Sequence, residues 1–592
     1  MSNPLPVYPF DPDRCIGTVT ETSPAAAKLN LPLAAAPEGQ WHHGFRFSTG
    51  EVGDFVVIDC GDVAIFARII SVKLPERERL SVEPVLGQER APHPVGVAHL
   101  LTTLVLSTGR VTGGISRYPR LGSKVYAVHP LLLKWLAEVA QLDVVHPNPI
   151  VLELASLTSE SNVGVHVTPE RILGRHCAVL GATGGGKSWT VARLIEQIAG
   201  RGGKVILLDA TGEFHTLRCR VRHVHIGSNP DPAPGSTEVA VPYTALTEGD
   251  LFALLKPSGQ TQAPKLRLAM KSLKLAKLVP ELVENGTIPK AQKLKSPYDD
   301  AYRLHVSHIE GNRASFDIEY LTRQISEECV YPSGGSATRP DYTRWGSPNE
   351  AERSYCVSLI TRIEDILTSD SLACIFQPKG KLGLARAMQD FLTSDQQVLR
   401  ISLRHLPFDH NAREIVANAI GRRLLDQARR GEFLTCPLVV VVDEAHQFLN
   451  KTLGDESTKY PLDAFDLIAK EGRKFSLNIC LATQRPRDIP EGVLSQMGTL
   501  IVHRLVNDKD REVVERASGD IDRSAAAFLP TLAPGEAVII GADFPIPLTI
   551  QVAHPENTPD SRGPDYQNCW KQVSPSMSPA RSAAHDPVVL SE

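Results

Sequence analysis

The sequence predicts an α/β fold: a doubly wound, mostly parallel sheet with a helical insertion, preceded by a small N-terminal β-barrel. Three observations carry this. From residue 151 onward, short apolar β-branched runs alternate with segments of helical periodicity. A glycine-rich loop, Gly181-Ala182-Thr183-Gly184-Gly185-Gly186-Lys187-Ser188, stands between one such strand and one such helix. Residues 1–145 instead carry short β-branched runs cut by turn residues.

The chain has 592 residues, too many for one ordinary core, so two to four domains are expected. The N-terminal runs are Gly17–Val19, Asp54–Ile58 and Ala64–Ile70, with Gly50, Gly53 and Gly61 between them. Such close spacing points to a small barrel, another compact β domain being the alternative. Leu131–Gln141 reads as a short helix and His146–Pro149 as a linker. The core occupies residues 151–552. Cys177–Leu180 is a buried strand, Trp189–Ala199 an amphipathic helix, and Gly203–Asp209 a second strand that ends in an acid. Residues from about 245 to 395 break the rhythm. Their first part is helical and basic, with Lys265, Arg267, Lys271, Lys274 and Lys277 forming either a nucleic-acid patch or a solvated face. Tyr331–Pro340 reads as a loop. The sheet resumes at Val398–Leu403, and residues 553–592 read as a tail or a strap over a neighbour.

Net charge is −4, so the chain has no global basic footprint, and nucleic-acid contact needs local patches or a surface shared in an assembly. The ten cysteines are scattered without a C-x-x-C pair, which argues for a reducing compartment and against a zinc ribbon. No apolar run reaches the length of a membrane span, and Met1–Pro6 lacks the pattern of a signal peptide. A cytoplasmic protein without a membrane partner is the expectation.

The loop Gly181–Ser188 fits G-x-x-x-x-G-K-S/T at every fixed position. Glycines let the backbone curl so that N–H groups converge on phosphates; Lys187 supplies a point charge, and the Ser188 hydroxyl suits Mg²⁺. Leu438–Val442 is a continuous apolar run, as a central strand requires, and ends in Asp443 and Glu444. Asp443 is placed to orient Mg²⁺ and Glu444 to polarise the attacking water. Leu477–Thr483 is a further strand, and Gln484 at its end is placed to sense the γ-phosphate. Arg473 is a candidate arginine finger for a neighbouring subunit, since a guanidinium matches phosphate oxygens and stays charged. Arg504 is a second candidate. His223 and His225 share a strand face but lack a third ligand nearby, so they read as structural.

These motifs in this order resemble the HerA branch of the HerA/FtsK superfamily of hexameric ATP-driven DNA translocases. The resemblance rests on Leu173–His176 leading to the P-loop, Asp209–Phe214, Val442–His446, Gly472–Lys474, Ala482–Pro486, Val493–Gln496 and Arg504–Asn507. It implies a RecA-like P-loop ATPase core behind an assembly barrel, ATP and Mg²⁺ as cofactors, a homo-hexamer, and double-stranded DNA in the channel. It also implies a separate partner, a nuclease or a sirtuin-like effector, since HerA proteins commonly work with one, and a part in antiphage defence. Arg473 keeps the nine-residue spacing to Ala482 of the related FtsK motors. Ala210-Thr211 departs from the family's Pro-His at that element. Two other readings stand beside the translocase: an ATP-regulated hexameric scaffold controlling an effector enzyme, and a housekeeping end-resection motor.

Overall fold

The computed structural model describes residues 5–35, 40–42, 45–47, 49–74, 94–138, 149–158, 163–336, 338–378, 380–449, 451–453, 459–518, 523–561, 563 and 566–570. Near the N-terminus seven strands form one antiparallel sheet: β1 (Cys15–Thr22), β2 (Ala26–Asn30), β3 (Phe55–Asp59), β4 (Val63–Lys73), β5 (Val95–Val105), β6 (Arg110–Gly113) and β7 (Lys124–Ala127). Their order is β2-β1-β7-β3-β4-β5, and β2 pairs back onto β5, which closes a six-stranded barrel with β6 appended to β5. The two-residue period of a strand explains the sequence pattern. Val56, Ile58, Ile65 and Ile69 fill the barrel interior. Val57, Phe66 and Tyr126 face outward into a second apolar cluster shared with helix α1 (Pro130–Glu138) and the main sheet. Both faces are buried, so Phe55–Ile58 reads as a continuous apolar run. Arg68 pins the barrel to the rest of the molecule: Nη2 donates to Thr549 Oγ1 at 3.2 Å, and the guanidinium lies 4.1 Å from the Phe528 ring centroid.

The main sheet contains β8 (Leu152–Leu157), β9 (Gly164–Val167), β10 (Cys177–Leu180), β11 (Lys204–Asp209), β12 (Val221–Ile226), β13 (Thr237–Ala240), β14 (Leu382–Gly383), β15 (Val398–Ser402), β16 (Leu438–Val442), β17 (Leu477–Thr483), β18 (Thr499–Val502), β19 (Glu536–Gly541) and β20 (Leu548–Val552). The order is β9-β8-β20-β19-β18-β10-β17-β16-β11-β15-β12-β13-β14. From β18 to β14 all pairings are parallel; from β18 back to β9 they are antiparallel. β10, β11, β15 and β16 are buried along their whole length, as parallel strands covered by helices on both faces must be. The glycine-rich loop follows β10 and leads into helix α2 (Lys187–Gly200).

Between β13 and β14 the chain makes the helical excursion, including α3 (Gly259–Leu278), α4 (Leu321–Glu328) and α5 (Glu350–Thr368). A buried polar node holds it together: the Glu328 carboxylate accepts from Lys290 Nζ (2.6 Å), Ser272 Oγ (2.6 Å) and Gln324 Nε2 (3.1 Å). The basic residues of α3 are mostly partnered inside this unit, so its lysine run is a strut rather than an open patch. Lys265 pairs with Glu352 (2.7 Å), Lys271 with Glu310 (2.6 Å) and Lys274 with Glu248 (2.8 Å), and Arg267 lies over the Phe252 ring. Lys274 is 2% exposed and also donates to the Ile309 and Gly311 carbonyls. Lys277 is exposed.

Within the expected loop Tyr331–Pro340, Gly334–Ser336 pairs antiparallel with Arg339–Asp341. Gly335 permits the close approach, since a Cβ there would lie 2.4 Å from the Arg339 carbonyl oxygen. Residues 146–148 of the expected linker and residues 571–592 of the expected tail lie outside the described residues. Residues 554–561 run over the chain's own α2. Among the described residues no helix is long and apolar enough to cross a membrane.

Candidate nucleotide site

β10, β17 and β16 are neighbours in that order, so the ends of three buried strands present the loop, Gln484 and the pair Asp443–Glu444 side by side. The loop itself is built from glycine geometry. Gly184 and Gly186 have φ of 76° and 111°, and Gly186 caps the amino end of α2, where unpaired N–H groups and the helix dipole favour an anion. A Cβ on Gly181 would sit 2.6 Å from His503 Cβ, so the loop's floor tolerates only glycine.

Lys187 Nζ donates to Asp443 Oδ1 at 2.9 Å and to Glu444 Oε1 at 3.0 Å, all three side chains being nearly inaccessible. Burial works against the lysine's charge, but the two carboxylates more than offset it, and its pKa lies above the usual lysine range. Burial pushes Asp443 up to about 6 despite the ammonium beside it. Gln484 bridges the two sides: Nε2 donates to Glu444 Oε1 at 2.7 Å, and Oε1 accepts from Thr183 Oγ1 at 2.5 Å. Glu444 holds a left-handed backbone (φ 47°, ψ 46°), a conformation that costs a non-glycine residue roughly 1–2 kcal/mol. His446 Nδ1 lies 3.3 Å from Glu444 Oε2 and 3.1 Å from Thr483 Oγ1.

The structure therefore brings together Lys187, Asp443, Glu444, Gln484 and the loop Gly181–Ser188. Ser188 turns toward a residue to which the sequence reading assigned no role: its hydroxyl donates to Glu213 Oε2 at 2.9 Å. Asp443 Oδ2 is buried without a hydrogen-bond partner. A buried carboxylate oxygen without a partner at the end of β16, and a serine hydroxyl bonded to a carboxylate at the head of α2, are oxygen donors of the kind a hard divalent cation takes together with its waters, so the chemistry of these residues fits Mg²⁺.

Arg473 is not brought to this loop. It sits exposed on the turn Gly472–Phe475 before the amino end of β17, and the strand's length, about 20 Å, separates it from Gln484. There it lines a cavity of about 700 Å³ with Arg175, Lys470 and Lys474. Arg504 is exposed, and its carbonyl accepts from the Ala182 N–H at 3.1 Å. His223 and His225 are buried and bonded to the Leu217 carbonyl and to Ser236 Oγ. Among the described residues no group of three or more His, Cys, Asp or Glu side chains that could hold a metal ion is found.

Two supports escape a linear reading. His503 lies under the loop, with Nδ1 2.8 Å from the Glu536 carbonyl and Nε2 2.8 Å from Thr190 Oγ1. Burial, with the nearby Lys187 charge adding to it, pushes its pKa down to about 4. Asp209, fully buried, accepts from the N–H groups of Gly212 (2.7 Å) and Phe214 (3.1 Å) and from Arg400 Nε (2.7 Å). This fixes the turn that delivers Glu213. The Asp209 carboxylate holds the turn's N–H groups, and Arg413 and Arg400 reach the Ala210 and Gly212 carbonyls, none of which needs a particular side chain at Ala210 or Thr211.

Residues 152–379 match the family model described as "Helicase HerA, central domain". The DNA double-strand break repair helicase HerA of Saccharolobus solfataricus is 25% identical over 416 residues, covering 69% of this chain and 70% of that protein. The protein of the same name from Pyrococcus furiosus is 26% identical over 420 residues, covering 68% and 69%. Among solved structures, the bacterial conjugative coupling protein TrwB in complex with sulphate aligns at TM-score 0.43 and 14% identity, over 73% of this chain and 95% of that one. VirB4 of Thermoanaerobacter pseudethanolicus aligns at TM-score 0.38 and 13% identity, over 69% and 98%.

Proposed function

We propose that this chain, a member of the HerA helicase family and an ATP-hydrolysing enzyme, couples hydrolysis to movement along double-stranded DNA as a homo-hexameric ring. The observation that supports it most is the buried contact of Lys187 with Asp443 and Glu444, tied through Gln484 to Thr183 of the loop. A nucleoside triphosphate seated on Gly181–Ser188 offers Lys187 phosphate oxygens in place of the two carboxylates. Glu444, released from the ammonium, then accepts the proton of the attacking water, and Gln484 reports the γ-phosphate to it. Ser188 and Asp443, with Glu213 behind Ser188, would hold Mg²⁺, which neutralises charge developing on the phosphate oxygens.

In this reading residues 1–145 form the barrel that helps assemble the ring, 151–552 the motor and 553–592 a C-terminal extension. Arg473 completes the site of the adjacent subunit, which its place at the far ends of the strands favours. The ring works in the cytoplasm with a separate effector, a nuclease or an NAD-consuming enzyme, in defence against phage; this part rests on family resemblance alone. The test is ATP hydrolysis with and without double-stranded DNA. Wild-type protein should show DNA-stimulated turnover and Lys187→Ala none. Turnover indifferent to DNA, with an effector activated equally by Lys187→Ala, would favour an assembly scaffold instead.

A further inference from the structure

The mechanism above uses the phosphate end of the site and leaves its other wall unexplained. Gln551, His554 and Ser561 border the same cavity of about 380 Å³ as the loop and Trp189. The chain leaves β20 at Ala553, whose N–H donates to the Leu154 carbonyl at 2.9 Å, and crosses α2. The His554 and Trp189 rings meet with centroids 4.1 Å apart at 55°. Beyond them, Glu196 of α2 is only 7% exposed. Its carboxylate is spent on the crossing segment: it accepts from the Glu556 N–H (3.0 Å), the Asn557 N–H (2.7 Å) and Asn557 Nδ2 (2.8 Å). Pro555 and Pro559 are buried, and the Asp560 N–H donates to the Glu213 carbonyl at 2.9 Å. A buried carboxylate that accepts three N–H bonds strongly favours the one backbone path that supplies them.

We infer that residues 551–561 are a strap that builds the nucleobase subsite, with the His554–Trp189 wall as the stacking surface for a purine and Glu196 as the positioning residue that anchors it. The inference rests on the reading of Gly181–Ser188 as a nucleoside triphosphate site. A phosphate chain needs none of these rings; a base has a π-face to lay against them and an edge for the Gln551 amide. A purine offers the larger face. The strap also ends on Glu213, the residue that takes the Ser188 hydroxyl, so base and phosphate ends share one support.

The test is titration of the full chain with ATP, CTP and inorganic tripolyphosphate, all with Mg²⁺, alongside steady-state hydrolysis. Wild type should prefer ATP to CTP. His554→Ala should weaken ATP about tenfold, reduce the ATP:CTP preference and leave tripolyphosphate binding within twofold, with the loss in KM rather than kcat. Glu196→Ala should give the same pattern and Glu196→Gln, which keeps one acceptor oxygen, a smaller effect. If Glu196→Ala fails to fold, His554→Ala at its exposed position decides alone. Equal weakening of ATP and tripolyphosphate, or unchanged binding of both, overturns the strap. Wild-type protein that binds neither overturns the nucleotide reading as well.

Discussion

Burial keeps the His503 imidazole neutral, and the Glu536 carbonyl selects its tautomer: the carbonyl can only accept, so Nδ1 carries the proton and Nε2 accepts from the Thr190 hydroxyl. His176 is held likewise, with Nδ1 accepting from the Ile479 N–H. Burial lowers both to about 4, from an ordinary value near 6.5. Between those limits the unfolded chain takes up protons that the native one refuses. Their contribution is therefore complete above about pH 6.5 and is lost as pH falls toward 4, by up to about 3 kcal/mol per histidine. Denaturant unfolding at stepped pH should show this decline, and His503→Gln should flatten it while lowering stability at neutral pH. An unchanged slope would contradict the assignment. Nothing local in the sequence announces His503, because its partner Thr190 is 313 positions away. Lys187, Asp443 and Glu444 were legible because loop and strand-end chemistry are written in consecutive residues. Glu213 was visible but mute, its carboxylate acquiring meaning only when the Asp209 turn aims it at Ser188.

Elements show where pattern reading holds and where it misleads. Apolar runs at Cys177–Leu180, Val398–Leu403 and Leu438–Val442 name central strands because burial on both faces leaves no polar position. Helix α3 misleads: its lysines look like an open basic face because Glu352, Glu310 and Glu248, which neutralise them, lie in other segments. Lys271→Ala should accordingly cost no more than about 1 kcal/mol, its ion pair being partly exposed. It should also leave the salt dependence of DNA binding unchanged; a shallower slope would place Lys271 on phosphates.

At the scale of the whole molecule, the sheet separates two clusters of residues. One set of strand ends carries the nucleotide loop, and the other carries Arg473 beside Arg175, Lys470 and Lys474. In the ring proposed above, a guanidinium about 20 Å from its own Gln484 would serve hydrolysis through a neighbour. Mixing Arg473→Ala with Lys187→Ala subunits should then restore partial turnover, since some interfaces pair an intact loop with an intact arginine. No recovery in rings shown to be mixed would place Arg473 elsewhere. The barrel adds its own constraint, because Arg68 joins β4 to Phe528 and to Thr549 of β20, the strand that feeds the strap.

In the proposed mechanism, hydrolysis depends most on Glu444 as the group that activates water. The decisive measurement is single-site: ATP binding and steady-state hydrolysis by Glu444→Gln, which keeps the size and one acceptor oxygen but removes the base. We predict that ATP binding persists while turnover falls by about 100-fold or more. Wild-type turnover in a folded Glu444→Gln protein would contradict the central claim.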